Sequence, residues 1–159
     1  MIEPKIILIE DKKLVGLKIE TSLVQKNTFE LWRNFMPQVK SIKHRIGTEV
    51  YSLQVYPKIF GTAAFTATTE FEKWAAVEVA SDETALENFE RITIPSGKYA
   101  VFNYKGTTAD FPKMANYIYG VWLPKSGYQL ADKPHFEVLG DKYILNHPES
   151  EETVWIPIN

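Results

Sequence analysis

The chain contains no cysteine among its 159 residues. This absence excludes disulfide bonds, thiol nucleophiles and cysteine-ligated zinc, and it is compatible with a reducing compartment. The histidines, His44, His135 and His147, are scattered without the spacing that metal sites use. Glycine-rich phosphate loops and the nucleophile turn of serine hydrolases are also missing. We therefore expect no metal, no other cofactor, and neither a nucleotide-binding nor a serine-hydrolase enzyme.

Strong charge of one sign and long apolar runs are absent too. The formal net charge is -2, whereas a nucleic-acid surface needs clustered lysine and arginine. The N-terminus lacks the basic start and long apolar core of a signal peptide. No run approaches the length that spans a membrane. We expect a cytoplasmic protein that contacts neither nucleic acid nor membrane directly.

Aromatic residues, by contrast, are abundant, with 4 Trp, 8 Tyr and 9 Phe. Many will fill the core, but tyrosine and tryptophan also suit a cavity that needs apolar rings with polar tips. Glu137 lies in a strand-like run with apolar residues on both sides. A lone carboxylate is costly to bury unless a cation or hydrogen bonds compensate it. Glu137 is therefore the first candidate for a functional residue.

Hydrophobic periodicity predicts the same order of elements in each half of the chain: strand, strand, helix, strand, strand. Asn27 or Thr28 can cap a first helix that ends or kinks at Pro37, and Asp110 can cap a second that stops at Pro124. The predicted strands cover residues 6–9, 14–19, 51–56, 71–80, 89–94, 99–104, 136–139 and 153–158.

The two halves, residues 1–80 and 88–159, would be repeats within one domain that covers residues 1–159. Joined together, they predict an α+β fold: one antiparallel sheet with both helices on one face. Coincidence among common elements is the alternative explanation. The loop 141–152 carries Glu149, Glu151 and Glu152, which we expect to be solvated.

The chain resembles the GyrI-like small-molecule-binding family, the effector-binding domain of AraC-type and MerR-type bacterial regulators. The resemblance covers essentially the whole chain and depends on the order and spacing of several short segments. It implies a tandem of two βαββ units, which agrees with the repeat described above. No helix-turn-helix segment precedes the domain, so a stand-alone member is expected. The matching segments are Glu3-Pro4, residues 14–17, 51–56, 74–79, 94–102 and 122–124, Phe136-Glu137 and residues 155–157.

The resemblance implies a cavity that holds aromatic, often cationic compounds, with an acid at its bottom to which Glu137 corresponds. Many members continue Glu-x-Tyr, whereas this sequence has Leu139 at the tyrosine position. The implied function is binding of hydrophobic, cationic small molecules, for sensing or for sequestration in drug resistance. The candidate ligand-binding residues are Glu137, Trp122, Tyr51, Tyr99, Trp74, Tyr104, Tyr119, Trp155 and Leu139.

Three alternatives remain open from the sequence. Some members resemble hydrolases that open the cyclopropane ring of DNA-alkylating compounds, which would make Glu137 a general base. His135, two residues earlier on the same strand face, could orient that carboxylate or simply lie at the rim. Other members inhibit DNA gyrase, which would imply a protein partner. Finally, Glu137 could be structural, bonded to a tyrosine hydroxyl or a backbone amide.

Overall fold

The computed structural model describes residues 2–25, 27–81 and 88–159. Helix α1 (Thr28–Phe35) is followed by a 3-10 turn at Met36–Ser41. Helices α2 (Phe111–Tyr117) and α3 (Leu123–Ser126) are joined by a π turn at Ile118–Trp122. No helix within these ranges is both long and apolar enough to cross a bilayer. The helices are α1 Thr28–Phe35, α2 Phe111–Tyr117 and α3 Leu123–Ser126. The strands are β1 Lys5–Ile9, β2 Lys12–Thr21, β3 Val50–Val55, β4 Phe71–Glu78, β5 Glu90–Ile94, β6 Gly97–Lys105, β7 His135–Leu139 and β8 Glu151–Ile158.

The eight strands form one antiparallel sheet in the order β1-β6-β8-β7-β3-β4-β2-β5. Each half of the chain contributes an edge strand to the other half, since β1 pairs with β6 and β5 pairs with β2. The halves meet at the central pair β3 and β7, where Ser52 lies opposite Glu137. The α+β prediction is confirmed, and each predicted strand is present.

Helix α1 packs on strands β2 and β4. Leu31 and Phe35 are buried there against Val15 and Val77. The apolar residues Phe29, Trp32 and Phe35 or Met36 predict one face of this helix from the sequence, and that prediction was partly wrong, because Phe29 is 67% exposed. Asn27 occupies the N-cap position but makes no capping bond. Its amide donates instead to the carbonyl of Glu20.

The second helical segment packs on strands β6 and β8. Met114, Ile118 and Trp122 are buried against the sheet, as the apolar pattern predicts. The prediction of a stop at Pro124 was wrong. Pro124 lies in the first turn of α3, where its missing N–H is tolerated. The segment ends three residues later, at Gly127, whose φ is 80°.

The sheet has two faces with different roles. Residues that pair across antiparallel strands point to the same face, so the register assigns each side chain to one of them. The helix-side face is covered by the helices and carries Ser52, Gln54, His135, Glu137 and Val154. The far face carries the buried core residues Tyr51, Leu53, Trp74, Tyr99 and Phe136, with Trp155 packed against them.

Candidate functional site

The candidate site lies at the centre of the helix-side face, where charged side chains from neighbouring strands meet. Glu137 accepts a hydrogen bond from Gln54 Nε2, with 3.2 Å between Nε2 and Oε1. Lys73 Nζ on strand β4 lies 3.9 Å from the same oxygen, and the two side chains are only 15% and 12% exposed. Lys73 is opposite Gln54 in the register, which places it on the helix-side face. The side chain of Glu137 is therefore largely buried and is paired with a cation.

Burial and pairing act in opposite directions on this ion pair. Burial raises the pKa of Glu137, while the charge of Lys73 and hydrogen bonds from Gln54 and Ser52 lower it, and the net shift is upward. Burial also lowers the pKa of Lys73, against the attraction of Glu137 and Glu152. Because Lys73 already compensates part of its charge, Glu137 would gain less from a bound cation than an unpaired buried acid would.

Glu152 on strand β8 is a second carboxylate at this site. It lies opposite Tyr104 in the register, on the same face as Val154, which in turn pairs with Glu137. Burial, followed by the charge of Glu137, raises the pKa of Glu152 to about 7, although Lys73 opposes the shift. The expectation that Glu152 is merely solvated was wrong, because strand β8 begins at Glu151 and turns Glu152 inward.

An aromatic cluster lies beside the charged residues. We use this name for Tyr56, Phe60, Phe65, Phe71, Tyr119 and His135. Phe60 stacks on Tyr56 with 3.8 Å between ring centroids. It also contacts Tyr119 and His135 edge-on, at 5.3 Å and 5.2 Å between centroids. Phe65 packs edge-on against Phe60 at 4.9 Å.

His135 is held neutral inside this cluster. Burial lowers its pKa to about 3. Its Nδ1 is hydrogen-bonded to the hydroxyl of Tyr119 at 2.8 Å. The suggestion that His135 orients Glu137 is therefore not supported, since the carboxylate takes its hydrogen bond from Gln54. The idea of a tyrosine hydroxyl as the structural partner of Glu137 fails on the same observation.

An open cleft of about 390 Å³ adjoins the aromatic cluster. Tyr56, Phe60 and His135 belong to both the cleft and the cluster. The charge of Glu137 also raises the pKa of Tyr56 and Tyr119, after the larger effect of their burial. The cluster therefore adjoins the cleft and lies within electrostatic reach of Glu137. The cleft is completed by Pro57, Lys58, Leu130, Ala131, Asp132 and Lys133.

The predicted site residues are divided between the two faces of the sheet. Tyr51, Trp74, Tyr99 and Trp155 lie on the far face, in or against its core cluster. Phe136 packs with three of them, stacking on Trp155 at 5.2 Å between centroids. These rings fill the sheet's own core, so they do not line the surroundings of Glu137.

The remaining predicted residues lie on the helix side. Tyr119 belongs to the aromatic cluster and lies within electrostatic reach of Glu137. Leu139 shares the face of Glu137 two residues further along β7 and is half-buried. Trp122 packs edge-on against Phe102 at 5.1 Å, and Tyr104 donates a hydrogen bond to the carbonyl of Thr107. Those two rings belong to the core beneath the second helical segment.

Sequence reasoning missed Lys73, Gln54, Tyr56, Phe60 and Glu152. Gln54 and Tyr56 could have been found, because alternation along β3 places them on one face with Ser52. Lys73 stands between Glu72 and Trp74 with no local signal, and only its pairing opposite Gln54 reveals its position. Phe60 lies in an irregular segment that has no apolar period.

Comparisons with known proteins agree with this architecture. A sequence model of the GyrI-like small molecule binding domain matches residues 2–159. The transcriptional regulator BrlR of Pseudomonas aeruginosa is 27% identical over 146 residues, which are 91% of this chain and 51% of BrlR. The chain thus spans about half the length of that regulator.

Solved structures share the fold. SAV2435 bound to tetraphenylphosphonium aligns with a TM-score of 0.74 at 15% identity, over 99% of this chain and 94% of that one. The C-terminal domain of EcmrR aligns with a TM-score of 0.72 at 12% identity, over 100% and 98% of the two chains. At these identities the alignments demonstrate a common fold. With the family model matching from residue 2 to the last residue, the chain belongs to the GyrI-like small-molecule-binding domain family.

Proposed function

We propose that this protein binds hydrophobic aromatic cations at the site formed by the cleft, the aromatic cluster and the buried carboxylates. The cleft lining itself carries Lys58, Lys133 and Asp132. The observation that carries the proposal concerns the charges of the less exposed groups: Glu137 and Glu152 face one lysine, Lys73. When both acids are ionised, these groups leave one negative charge uncompensated, and neutral His135 does not contribute to the balance. A bound monocation would complete the balance at low dielectric.

The aromatic cluster supports the same ligand class. Ring faces attract a cation by about 0.5–2 kcal/mol per good contact. Tyr56 and Phe60 line the open cleft, and Tyr119 packs edge-on against Phe60. The cleft volume of about 390 Å³ falls within the roughly 300–1,000 Å³ that is usual for small-molecule sites.

For the rings of a ligand to approach Glu137, Phe60 has to leave its stack on Tyr56. The segment that carries Phe60 and Phe65 joins strands β3 and β4 and forms turns without regular secondary structure. Its rings occupy the space that the rings of a ligand would take. Binding is therefore an exchange of the protein's own aromatic contacts for those of the ligand.

Two relatives motivate the choice of ligand and role. Tetraphenylphosphonium, which is bound in the SAV2435 structure, is a monocation surrounded by phenyl rings. BrlR is a transcriptional regulator, which suggests a sensor of such compounds for this chain, and sequestration is the other role compatible with binding alone.

Titration with tetraphenylphosphonium, followed by calorimetry, tests the proposal. We expect saturable binding that the double variant Glu137→Gln/Glu152→Gln, which neutralises both carboxylates, weakens at least about tenfold, a loss of about 1.4 kcal/mol. Glu149→Gln is the matched control, since Glu149 pairs with Lys105 at the surface and its side chain is 67% exposed. Absence of saturable binding, or equal affinity of the wild type and the double variant, would overturn the proposal.

Hydrolysis at the same site is a second candidate, favoured by the two carboxylates. Burial raises the pKa of both acids, and a carboxyl with a raised pKa suits general acid–base catalysis. Glu152 would supply a proton to the leaving carbon, while Glu137 would activate the water that attacks the other carbon of a cyclopropane ring. Mass spectrometry of a cyclopropane-containing alkylating compound incubated with the protein would detect the added water. Glu137→Gln would then abolish turnover while retaining binding.

A further inference from the structure

The charges at the site are not equivalent. Lys73 lies 3.9 Å from Glu137 and the two form a buried ion pair. Gln54 adds a hydrogen bond to the same carboxylate. Glu137 therefore has a partner of its own before any ligand arrives. Among the residues that the structure describes, Glu152, one strand further along the sheet, forms no ion pair of its own on the helix-side face.

We propose that Glu152, rather than Glu137, determines the preference of this site for a cation, and that a bound cation takes the place of a proton on Glu152. This inference rests on the proposed function, because it concerns the ligand of the same site. The geometry supports it: Glu152 shares the face of Val154 and Glu137, and it is within electrostatic reach of Glu137 and Lys73.

The other groups around Glu152 cannot take over this role. Tyr104 faces it from strand β6 and Tyr143 from the loop between β7 and β8, and burial raises the pKa of both, so they stay neutral. Glu137 faces it from β7 and Lys73 from β4. The raised pKa of Glu152, about 7, is consistent with a carboxylate that exchanges its proton near neutrality.

Two measurable consequences follow. Where Glu152 is protonated the site is neutral, and a cation has to displace the proton. Its affinity should then rise up to about tenfold per pH unit and level off once Glu152 is ionised in the free protein. A neutral ligand of the same shape should show the opposite, weaker trend, because it leaves an ionised Glu152 without a partner.

The experiment compares methyltriphenylphosphonium with the neutral triphenylphosphine oxide by calorimetry between about pH 5.5 and about pH 8.5. Each titration is performed in two buffers of different ionisation enthalpy, so that released protons are counted directly. The variants are Glu152→Gln and, as the matched control, Glu151→Gln, whose side chain alternates to the far face opposite Lys105. Circular dichroism of each variant checks its fold.

The expected result is proton release with the cation in the wild type and in Glu151→Gln below about pH 7. Glu152→Gln should remove both the proton release and the pH dependence, and it should reduce the cation's advantage over the phosphine oxide about tenfold or more. Cation binding whose pH dependence survives in Glu152→Gln, or disappears only in Glu137→Gln, would overturn the inference and leave the proposed function standing.

Failure of the wild type to bind either compound would instead remove the proposed function, and the inference with it. If Glu152→Gln does not fold, the wild type still decides the question. Carboxyl carbon resonances of Glu152, followed by NMR with and without the cation, should show its pKa falling when the cation binds. An unchanged pKa would contradict the inference.

Discussion

Replacing Lys73 with methionine tests whether the buried ion pair is the compensation that Glu137 needs. Removing one partner of a buried ion pair costs about 3–5 kcal/mol when the other stays charged. Three features reduce that figure here. The contact is long, at 3.9 Å, the hydrogen bonds from Gln54 and Ser52 remain, and the desolvation of Lys73 itself is relieved. We therefore expect a loss of about 2–3 kcal/mol at about pH 8.

The loss should depend on pH in a defined direction. Without Lys73 the pKa of Glu137 rises further above its value in the unfolded chain, because the attraction that lowered it is gone. A raised carboxyl pKa means that the folded state retains its proton to higher pH, so stability falls as pH increases through that value. At about pH 5 more of the carboxyl is protonated than at about pH 8, so the loss should be smaller there.

Urea denaturation of Lys73→Met, Glu137→Gln and the double variant measures the coupling between the two residues. The double variant should recover most of the loss, because it leaves no uncompensated buried charge. Lys18→Met is the control: Lys18 pairs with Glu72 and Glu90, its side chain is 36% exposed, and its removal should cost about 0–1 kcal/mol. The reasoning is refuted if Lys73→Met loses no more than the control at about pH 8, or loses equally at both pH values.

Three further predictions concern stability. Gly16→Ala should cost about 3 kcal/mol or more, since its Cβ would lie 2.0 Å from the Ala75 carbonyl oxygen. Gly120→Ala is the control, with open space around its Cβ, and should not destabilise. Equal unfolding midpoints of the Gly16→Ala and Gly120→Ala variants would contradict this prediction. The raised pKa of Glu152 should contribute a fall in stability of about 1–2 kcal/mol between about pH 5 and pH 8. The lowered pKa of His135 acts in the opposite direction, because the unfolded chain releases the proton of this histidine as pH rises. Urea titrations therefore compare the wild type with Glu152→Gln, and the difference in their stabilities should change by the contribution of Glu152 between the two pH values. Phe60→Ala should cost about 1–3 kcal/mol through its lost ring contacts, more than the exposed control Phe29→Ala; a smaller loss would show that the aromatic cluster is loosely packed.

Local periodicity explains why the strands were predictable. On strand β2, Val15 and Leu17 alternate with polar and small residues, and such alternation reflects which side chains are buried. The second helix was harder, because Pro124 is a stop signal in a continuous helix but not after a π turn, where a new first turn begins. No pattern in the sequence marks that local change of helical pitch.

The composition of the site was harder still, because it depends on strand register. Alternation tells that Tyr51 and Gln54 point to opposite faces of β3, but not which of them shares a face with Glu137. That relation follows only from the pairing of Ser52 with Glu137 across the two halves. Tyr51 was predicted to belong to the same site as Glu137. A register of β3 and β7 shifted by one residue would place the two side chains on one face and would give Glu137 different neighbours.

The position of the site follows from the way the halves join. Helix α1 builds one core on β2 and β4, and the second helical segment builds another on β6 and β8, so the central strands β3 and β7 carry no helix of their own. His135 on β7 contacts Tyr119 of the second helical segment, and corresponding positions of β3 and β7 differ in chemistry, with Ser52 facing Glu137. The strand order is thus symmetric about β3 and β7, which form the seam between the two halves, whereas the charged residues at this seam are not symmetric. Substitutions at the seam that preserve charge compensation should alter ligand preference while leaving both helix-covered cores intact.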